Sequence, residues 1–391
     1  MPIYKTNGKK DGLQKYTVRV NYRHNDKGKQ LTRTAYGLEN AKILERKLEE
    51  QTKSKELQPT KKLTVGQLHD EYIKVKQYEQ RETSLDRFKH NMDDFVLSTF
   101  RDIRIDKITV QMMKDWKLEM EQRTYQRKQS EPSKFSLSSK KSAYSSFRAL
   151  FSYAIEMEYL PKGQNPVTKV KNFKDTSSLR PKVEYYTAQE FEQFIKTARQ
   201  FAIEQETQYG SISEWDYYVF FNIAFFTGVR KGENHALKFT DMKGSILNVT
   251  RSITQRLKGE DRETPPKNQS SIRALQMPAP LMQVIDEHII RLKKAGVFHE
   301  DNRICGGVRS LRNSNVQRKN EIYSEAAGLK TIRIHDFRHS HVSVLANENI
   351  NIQEIARRLG HARIEMTWNT YSHLYPREEE RAVDILNTIV A

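Results

Sequence analysis

Polar and apolar residues alternate near the start of the chain, on both sides of a turn-like NDKGK segment. The stretch KYTVRVNYRHNDKGKQLTRTAYG, which begins at Lys15, therefore predicts a β-hairpin. In the following LENAKILERKLEEQ, apolar residues recur at steps of three and four, a helical spacing. They are Leu38, Ala41, Leu44 and Leu48. Residues 1–58 are thus predicted to form a small β-plus-helix module.

Helical patterns dominate the next hundred residues. Thr64 is a candidate cap for a helix in LTVGQLHDEYIKVKQ, and helical periodicity continues to SLSSKKSAYSSFRALFSYAIEMEYL. Pro161 and the NPVTKV segment then interrupt it, and KDTSSLRPK has the composition of an exposed connection. We therefore predict an entirely helical domain over residues 63–170 that ends before this connection.

Residues 180–391 are predicted to form a third domain that mixes helices with short strands. Thr187 and Glu190 have the spacing of a capping box. The apolar run from Tyr217 to Gly228 predicts a core helix ended by glycine, and Gly296 ends another predicted helix. GSILNVTRSITQRL predicts one strand and SSIRALQM a second, with polar KGEDRETPPKNQ as the turn between them. The chain as a whole is predicted to be multidomain and mainly α-helical.

The charge of the chain indicates a polyanionic partner. Its 391 residues include 67 Lys and Arg against 49 Asp and Glu, which gives a net charge of +18 and a pI of about 9.6. Residues 1–57 alone hold 14 basic and 7 acidic side chains. Nucleic acid is the first candidate partner for such a chain. For the N-terminal module, a solvated basic face without a partner is the alternative.

Other classes of protein fit the sequence less well. A membrane-spanning helix needs roughly 20 consecutive apolar residues, and the chain has no such run; its first residues, MPIYKTNGKK, also lack the apolar segment of a signal peptide. Cys305 is the only cysteine, which excludes an intramolecular disulfide and argues against a cysteine-based zinc site. These features predict a cytoplasmic protein in a reducing compartment.

Four separated segments contain candidate reactive residues: TGVRKGE (227–233), PPKNQSSIR (265–273), IHDFRHSH (334–341) and LGHARIEMTWNTY (359–371). Each has an ordinary structural explanation when taken alone. Arg230 could pair with Glu233, and Lys267 could be a solvated turn lysine. His335 and His339 stand four residues apart, as zinc ligands on a helix do, but the H-E-x-x-H pattern is missing.

Together the four segments contain what a phenol needs to attack a phosphodiester. Two guanidiniums, Arg230 and Arg338, can bind the non-bridging oxygens where charge builds up in the transition state. Lys267, in a hairpin, can protonate the departing 5′ oxygen. Tyr371 is then the nucleophile. The scheme uses no metal and no cofactor.

Two imidazoles complete this set. His335 and His361 can bond a phosphate oxygen or help to remove the phenolic proton.

These motifs in this order resemble the tyrosine recombinase (phage integrase) family, over about residues 180–391. The family pattern is an arginine in TG-x-R-x-GE, a hairpin lysine, His-x-x-Arg, Gly-His and a tyrosine nine or ten residues later. It corresponds here to Arg230, Lys267, His335, Arg338, His361 and Tyr371. Glu233 matches the acidic residue that orients the first arginine. Lys258, on the same predicted hairpin, competes with Lys267 for the role of general acid.

The resemblance implies a fold and an activity. It implies a three-stranded sheet with a helix at 1–58 that binds arm-type DNA, a helical 63–170 domain that binds the core site, and a mixed α+β catalytic domain at 180–391. The second and third of these would form a C-shaped clamp on DNA. The implied reaction is strand exchange through a 3′-phosphotyrosine intermediate and a Holliday junction. Because Xer-type resolvases usually lack the first module, its presence favours the integrase of a phage or conjugative element.

The same resemblance implies partners. They are double-stranded DNA with core and arm attachment sites, three further copies of the chain in a tetramer, an excisionase and a host DNA-bending protein. The C-terminal EEERAVDILNTIV has an apolar helical stripe that the family would dock on a neighbouring protomer, although packing within the same chain is an alternative. The stripe comprises Ala382, Ile385, Leu386, Ile389 and Val390.

Other functions remain open from the sequence. A Xer-type resolvase and a type IB topoisomerase would use the same phosphotyrosine chemistry. A DNA-binding regulator with a decayed catalytic domain would need none of it, and the six matching residues argue against that reading.

Overall fold

The structure is a computed structural model, and its backbone separates into two compact units, Met1–Leu179 and Arg180–Ala391. The residues that it describes are 3–10, 12–24, 27–56, 62–126, 131–174, 184–255, 261–265, 269–374, 383–384 and 386–387.

The N-terminal part of the first unit is an antiparallel sheet with strand order β1-β2-β3, followed by one helix. Its elements are β1 (Ile3–Lys10), β2 (Leu13–His24), β3 (Lys27–Tyr36) and α1 (Leu38–Glu56). Val18 and Val20 of β2 pack in one small core with Ala41 and Leu48 of α1. The predicted hairpin and helix are confirmed, but Leu38 is 48% exposed because it opens the helix beyond the edge of this core.

Helices build the rest of the first unit. They are α2 (Val65–Lys76), α3 (Glu82–Phe95), α4 (Leu97–Phe100), α5 (Val110–Gln122) and α6 (Leu137–Glu156), with a minimal hairpin of β4 (Thr124–Tyr125) and β5 (Ser133–Lys134). The predicted cap Thr64 forms a capping box with Gln67. Trp116 is 2% exposed, packs near Phe147 and donates to the carbonyl of Phe95. The prediction of an entirely helical domain is wrong at the β4–β5 hairpin, where the chain between α5 and α6 folds back on itself.

The second unit is mainly helical around a mixed core. Its helices are α7 (Ala188–Tyr209), α8 (Ser213–Thr227), α9 (Lys231–Ala236), α10 (Ala279–Lys294), α11 (Asn313–Ala326), α12 (Asp336–Asn347), α13 (Ile352–Leu359) and α14 (Ile364–Tyr371). Its strands are β6 (Met242–Lys243), β7 (Ile246–Val249), β8 (Ser252–Thr254), β9 (Arg262–Thr264) and β10 (Arg273–Gln276). Thr187 and Glu190 form the predicted capping box at α7.

The strand predicted for GSILNVTRSITQRL is two strands in two sheets. β7 lies between β10 and β6, whereas β8 pairs with β9 alone. The break lies between Val249 and Ser252, where Arg251 pairs with Asp241. The rest of the fold class is confirmed: a mainly helical chain with a small three-stranded sheet at its N-terminus and a mixed second unit. The domain bounds 1–58, 63–170 and 180–391 stay predictions.

α8 is the central helix of the second unit, and it is buried nearly all round. Its Phe221 contacts Phe337 of α12, with ring centroids 5.1 Å apart, and Phe194 of α7 contacts both rings. This aromatic cluster joins three helices and fixes the start of α12. Within the described residues, no helix has the length and apolar character needed to cross a bilayer.

We expect Phe337→Ala to lower the free energy of unfolding of the second unit by about 3–5 kcal/mol, because it leaves a cavity among fully buried rings. Calorimetry of the full chain measures the shift of the corresponding transition. Tyr209→Ala removes an aromatic ring that is 64% exposed and serves as the control. Equal shifts for the two variants would contradict the packing described here.

Candidate active site

Two helix ends build the site. α8 ends at Gly228 and α13 ends at Gly360, and both glycines adopt the left-handed conformation, with φ of 62° and 64°. A Cβ at Gly228 would lie 2.6 Å from Cδ2 of His341, so the close approach also requires glycine. A helix end leaves carbonyl oxygens without helical partners. Those of α8 and α13 accept hydrogen bonds from the basic side chains of the site.

Arg338 is the most deeply buried of these basic side chains, at 3% exposure. Its guanidinium donates to the carbonyl oxygens of Gly228 and Leu359, both at 2.7 Å, and to Nε2 of His361 at 2.8 Å. Burial, together with the charge of Arg230, lowers the pKa of Arg338 to about 9. The positive charge of Arg338 is therefore stabilised mainly by the dipoles of these neutral acceptors.

Arg230, Glu233 and Arg273 form a second part of the site. The carboxylate of Glu233 accepts from Nη1 of Arg230 at 2.8 Å and from Nη2 of Arg273 at 2.9 Å. Arg230 also donates to the carbonyl of Gly360 at 3.2 Å, and Arg273 donates to that of Arg358 at 2.6 Å. Burial alone would raise the pKa of Glu233, but the two arginines hold it below its ordinary value. Two guanidiniums thus share one carboxylate.

The TGVRKGE segment positions Arg230 through its glycines. Arg230 occupies the N-cap of α9, and its backbone N–H donates to Glu233 at 2.9 Å. At Gly232, a Cβ would lie 2.5 Å from Oγ of Ser252 and 2.7 Å from the carbonyl oxygen of Ile253. The absence of a side chain there lets strand β8 pack directly on α9. β8 begins a hairpin with β9, a strand that lies inside the segment KGEDRETPPKNQ predicted as a turn. In the sequence, Lys258 lies between β8 and β9, whereas Lys267 follows β9.

Both lysines, Lys267 and Lys258, lie outside the described residues. The described parts of the hairpin are anchored to the segment before α11. Gln255 donates to Oγ of Ser310 at 2.7 Å and accepts from the backbone N–H of Asn313 at 2.8 Å. Asp261, on the other side of the turn, also bonds Ser310. Both ends of the β8–β9 turn are therefore fixed to the segment that leads into α11.

His361 joins the arginines to the helix that ends in Tyr371. Since Arg338 donates to Nε2, the other ring nitrogen carries the proton and donates to Oγ1 of Thr367 at 2.8 Å. Burial and the charges of Arg338 and Arg230 lower the pKa of His361 to about 4, consistent with a neutral ring. Thr367 is fully buried and lies one helical turn before Tyr371.

Tyr371 is 3% exposed and lies among Val342, Ile355 and Leu359. Its hydroxyl is not in apolar surroundings, because it lies 2.5 Å from Nδ1 of His339. Burial raises the pKa of the phenol to about 12, against the opposing effect of Arg338. In this arrangement Tyr371 is a neutral phenol.

His335 opens α12 and is exposed at the surface, with its ring edge-on to that of His339 at 5.4 Å. Surrounding protein atoms and the charge of Arg338 lower its pKa. The described part of the chain contains no group of three or more His, Cys, Asp or Glu side chains that could hold a metal ion. The two histidines therefore have no third ligand among those residues.

The structure brings together most of the predicted residues. Arg230 bonds Glu233 and Arg338 bonds His361, and both arginines also bond carbonyl oxygens at the end of α13. His335 caps α12, which carries Arg338, and Tyr371 ends α14.

Sequence reasoning missed three participants: Arg273, His339 and Thr367. Arg273 had a signal, since strand alternation in RALQ places it on the same inward face as Leu275. His339 was considered only as a zinc ligand, and Thr367 had no signal of its own.

Comparison with known proteins gives two family matches. Residues 184–378 match the model of the phage integrase family, and residues 67–171 match the phage integrase SAM-like domain. The chain is 29% identical over 257 residues to the ICEBs1 integrase of Bacillus subtilis, which covers 63% of this chain and 64% of that protein's length. It is 22% identical over 372 residues to the integrase of Staphylococcus phage L54a, with 89% and 99% covered.

A solved structure shares the fold. The Tn1549 transposon integrase in complex with transposon right end DNA superposes with a TM-score of 0.61 and 21% identity, over 84% of this chain and 100% of that one.

Four histidines of the second unit have pKa values lowered mainly by burial, to about 4 or about 3: His235, His339, His341 and His361. Unfolded histidine binds a proton near pH 6.5. Between pH 6.5 and 4 the unfolded state therefore binds more protons, and the free energy of unfolding falls as the pH falls, by up to about 1.4 kcal/mol per pH unit for each histidine. Urea unfolding at pH 7, 6 and 5 measures this slope.

One variant isolates a single histidine. The Nδ1–H group of His341 donates to the carbonyl of Phe225 at 2.8 Å. His341→Asn keeps a hydrogen-bond donor but does not titrate. It should therefore reduce the slope of the unfolding free energy against pH by the contribution of one histidine, up to about 1.4 kcal/mol per pH unit. His299→Asn, at an exposed histidine, should leave it unchanged. A slope unaffected by His341→Asn would contradict the assignment.

Proposed function

The chain belongs to the phage integrase family, and from this premise we propose that it is a site-specific DNA recombinase that cleaves and rejoins strands through a tyrosine. The observation that carries the proposal is the excess of positive charge at the site. Arg230 and Arg273 share the single carboxylate of Glu233, and Arg338 is held by neutral acceptors. Buried charge of this kind is costly without a counter-ion. A phosphodiester anion would supply it.

In the proposed reaction, Arg230 and Arg338 bind the non-bridging oxygens of the scissile phosphate. The Arg230 side chain is 35% exposed and so keeps a face open to DNA, while Glu233 and the Gly360 carbonyl fix its orientation. We propose that two histidines lie beside this phosphate: His335, at the exposed start of α12, and His361, which already bonds Arg338. Guanidinium pairs of this kind stabilise charge that develops in a transition state.

Tyr371 is the proposed nucleophile. Its hydroxyl attacks phosphorus, forms a 3′-phosphotyrosine bond and expels the 5′ oxygen, which takes a proton from Lys267. Lys258 remains the alternative acid. Because the phosphotyrosine ester retains the energy of the broken linkage, the 5′ hydroxyl of a second strand can reverse the step. The reaction needs neither ATP nor a metal, and its repetition on the other strands passes through a Holliday junction.

The integration of a mobile element is the proposed biological use. The relatives are named as the ICEBs1 integrase and the integrase of a phage, and the Tn1549 transposon integrase is described in complex with transposon right end DNA. The N-terminal sheet supports this proposal. One of its faces packs on α1 through Val18 and Val20, and the other is polar, with Arg19 opposite Thr32 and Asn21 opposite Gln30. We propose that this polar face binds arm-type sites and that 63–170 binds the core site.

The finer partners follow from strand exchange. Two duplexes with two cleavage sites each require four active sites, so we propose a tetramer on DNA. The stripe proposed to join its protomers lies mostly outside the described residues; Leu386, which lies within them, is 62% exposed. An excisionase and a host DNA-bending protein are proposed as accessory partners. The relatives come from bacteria and a phage, so the proposed site of action is bacterial cytoplasm.

We expect Tyr371→Phe to abolish covalent attachment to DNA while leaving DNA affinity within about twofold, since only the nucleophilic oxygen is lost. The measurement is trapping on a nicked duplex that carries the junction between element and chromosome, resolved on a denaturing gel. Tyr323→Phe, which removes the hydroxyl of another buried tyrosine that bonds Glu214, is the matched control and should still form adduct. Adduct with Tyr371→Phe would assign the nucleophile elsewhere.

A second prediction concerns the sheet. Arg19→Ala should weaken binding to an arm-type duplex by about 1–3 kcal/mol, because a side chain that reads base edges is lost. Lys42→Ala removes one positive charge from an exposed position of α1 and should have a smaller effect. Fluorescence anisotropy with duplexes that tile the ends of the element measures both. Equal losses, or an equal loss of cleavage at isolated core sites, would contradict the assignment of the sheet face.

A further inference from the structure

The phenol of Tyr371 has one polar neighbour that the predicted catalytic set does not contain. Nδ1 of His339 lies 2.5 Å from the hydroxyl oxygen, and the two ring centroids are 5.3 Å apart. The imidazole is 12% exposed and the tyrosine 3% exposed, so the pair is largely shielded from water. A short contact in such surroundings is specific, because a buried hydroxyl needs a partner.

The other two histidines of the site are placed differently. Both ring nitrogens of His361 are occupied, one by Thr367 and the other by Arg338. His335 is exposed at the start of α12, and its ring lies edge-on to that of His339. Of the three imidazoles, His339 is the one that contacts the phenolic oxygen.

A carboxylate stands behind His339. Nε2 of the ring lies 3.8 Å from Oδ1 of Asp336, which is 2% exposed. Arg333 fixes this carboxylate through Nε at 2.9 Å and Nη2 at 2.8 Å. The negative charge favours the tautomer with the proton on Nε2, which leaves the lone pair of Nδ1 facing the phenol. Hydroxyl, imidazole and carboxylate follow one another as in other enzymes that activate a hydroxyl.

We infer that His339 is the general base that takes the phenolic proton of Tyr371, with Asp336 as the residue that positions its ring. The inference rests on the proposed function. In the step, the O–H bond of the phenol breaks and its proton passes to Nδ1 of His339. The freed electron pair on oxygen forms the bond to phosphorus, and the bond from phosphorus to the 5′ oxygen breaks. On religation His339 returns the proton to the tyrosine.

Without DNA the pair is inactive. Burial raises the pKa of the phenol to about 12 and lowers that of His339 to about 4, so the proton stays on oxygen. The charged and titratable groups around the imidazole are His335, Asp336, Arg333 and Arg338 on its own segment and Tyr371 on α14. A bound phosphate adds negative charge, which raises the pKa of a nearby imidazole. The nucleophile is thus activated when its substrate is present.

Two substitutions separate a base from a purely structural partner. His339→Asn places an amide oxygen near the position of Nδ1, so it can still accept the phenolic hydrogen bond but cannot take the proton. His339→Ala removes both abilities. General-base catalysis predicts that both variants lower the single-turnover rate of adduct formation by about 100-fold or more. His299→Asn makes the same chemical change at an exposed histidine and should leave the rate unchanged.

The pH profile and the leaving group complete the experiment. The wild-type rate should rise with pH and level off once the imidazole is deprotonated, whereas the His339→Asn rate should climb with hydroxide throughout. A 5′-thio substrate, which needs no acid for its leaving group, should not restore either His339 variant. DNA affinity and the thermal midpoint of each variant, measured alongside, show whether it is folded.

Several outcomes would overturn the inference. A wild-type rate with His339→Asn would mean that the hydrogen bond alone matters, and a faster rate would mean that His339 restrains the nucleophile. A uniform loss with an unchanged pH profile would indicate a structural role. Each of these leaves the proposed function intact, provided that wild type forms adduct and Tyr371→Phe does not. The absence of adduct with wild type would overturn both.

Discussion

The site depends on carbonyl oxygens at the ends of two helices. The last turn of a helix leaves carbonyls unpaired and carries the negative end of its dipole. Here Gly228 and Gly360 end α8 and α13 in the left-handed conformation, and the oxygens around them hold Arg338, Arg230 and Arg273. Dipoles orient a guanidinium without cancelling its charge. The protein can therefore fold around these arginines and still present positive charge to an anion.

Glu233 determines how much of the positive charge of the arginines is left without a counter-ion. It bonds two of the three guanidiniums through its two oxygens and keeps them apart at fixed positions. The third, on Arg338, is linked instead through His361 to Thr367. Because Thr367 lies on α14, the hydrogen bonds of Arg338 extend to the helix that carries the tyrosine. Hydrogen bonds thus connect Arg338, one of the proposed phosphate-binding groups, to the helix that carries the proposed nucleophile.

Local features of this protein were predictable, and contacts between distant segments were not. The capping boxes at Thr64 and Thr187 and the glycine end of α8 depend on residues a few positions apart, so their patterns appear in the sequence. The run GSILNVTRSITQRL predicted a strand but not the break within it, because the break depends on which neighbouring strands each half pairs with.

The same division applies to the site. Motif order located Arg230, Arg338, His361 and Tyr371, because the family pattern specifies them by spacing. The partner of each could not be read from spacing. His339 meets Tyr371 only because α14 folds back on α12 across 32 residues. The interval of four between His335 and His339 bears only on a metal pair, against which the missing H-E-x-x-H pattern argues. Arg273 pairs with Glu233 across 40 positions, so its inward place on β10 became informative only once the fold was known.

Within α14, Thr367 and Tyr371 are one turn apart and lie on the same face of the helix. Thr367 bonds His361, and Tyr371 bonds His339. One residue inserted between them would turn the phenol by about 100° around the helix axis. Length variation between Thr367 and Tyr371 is therefore excluded, and the four-residue interval acts as a phase constraint on the evolution of this segment.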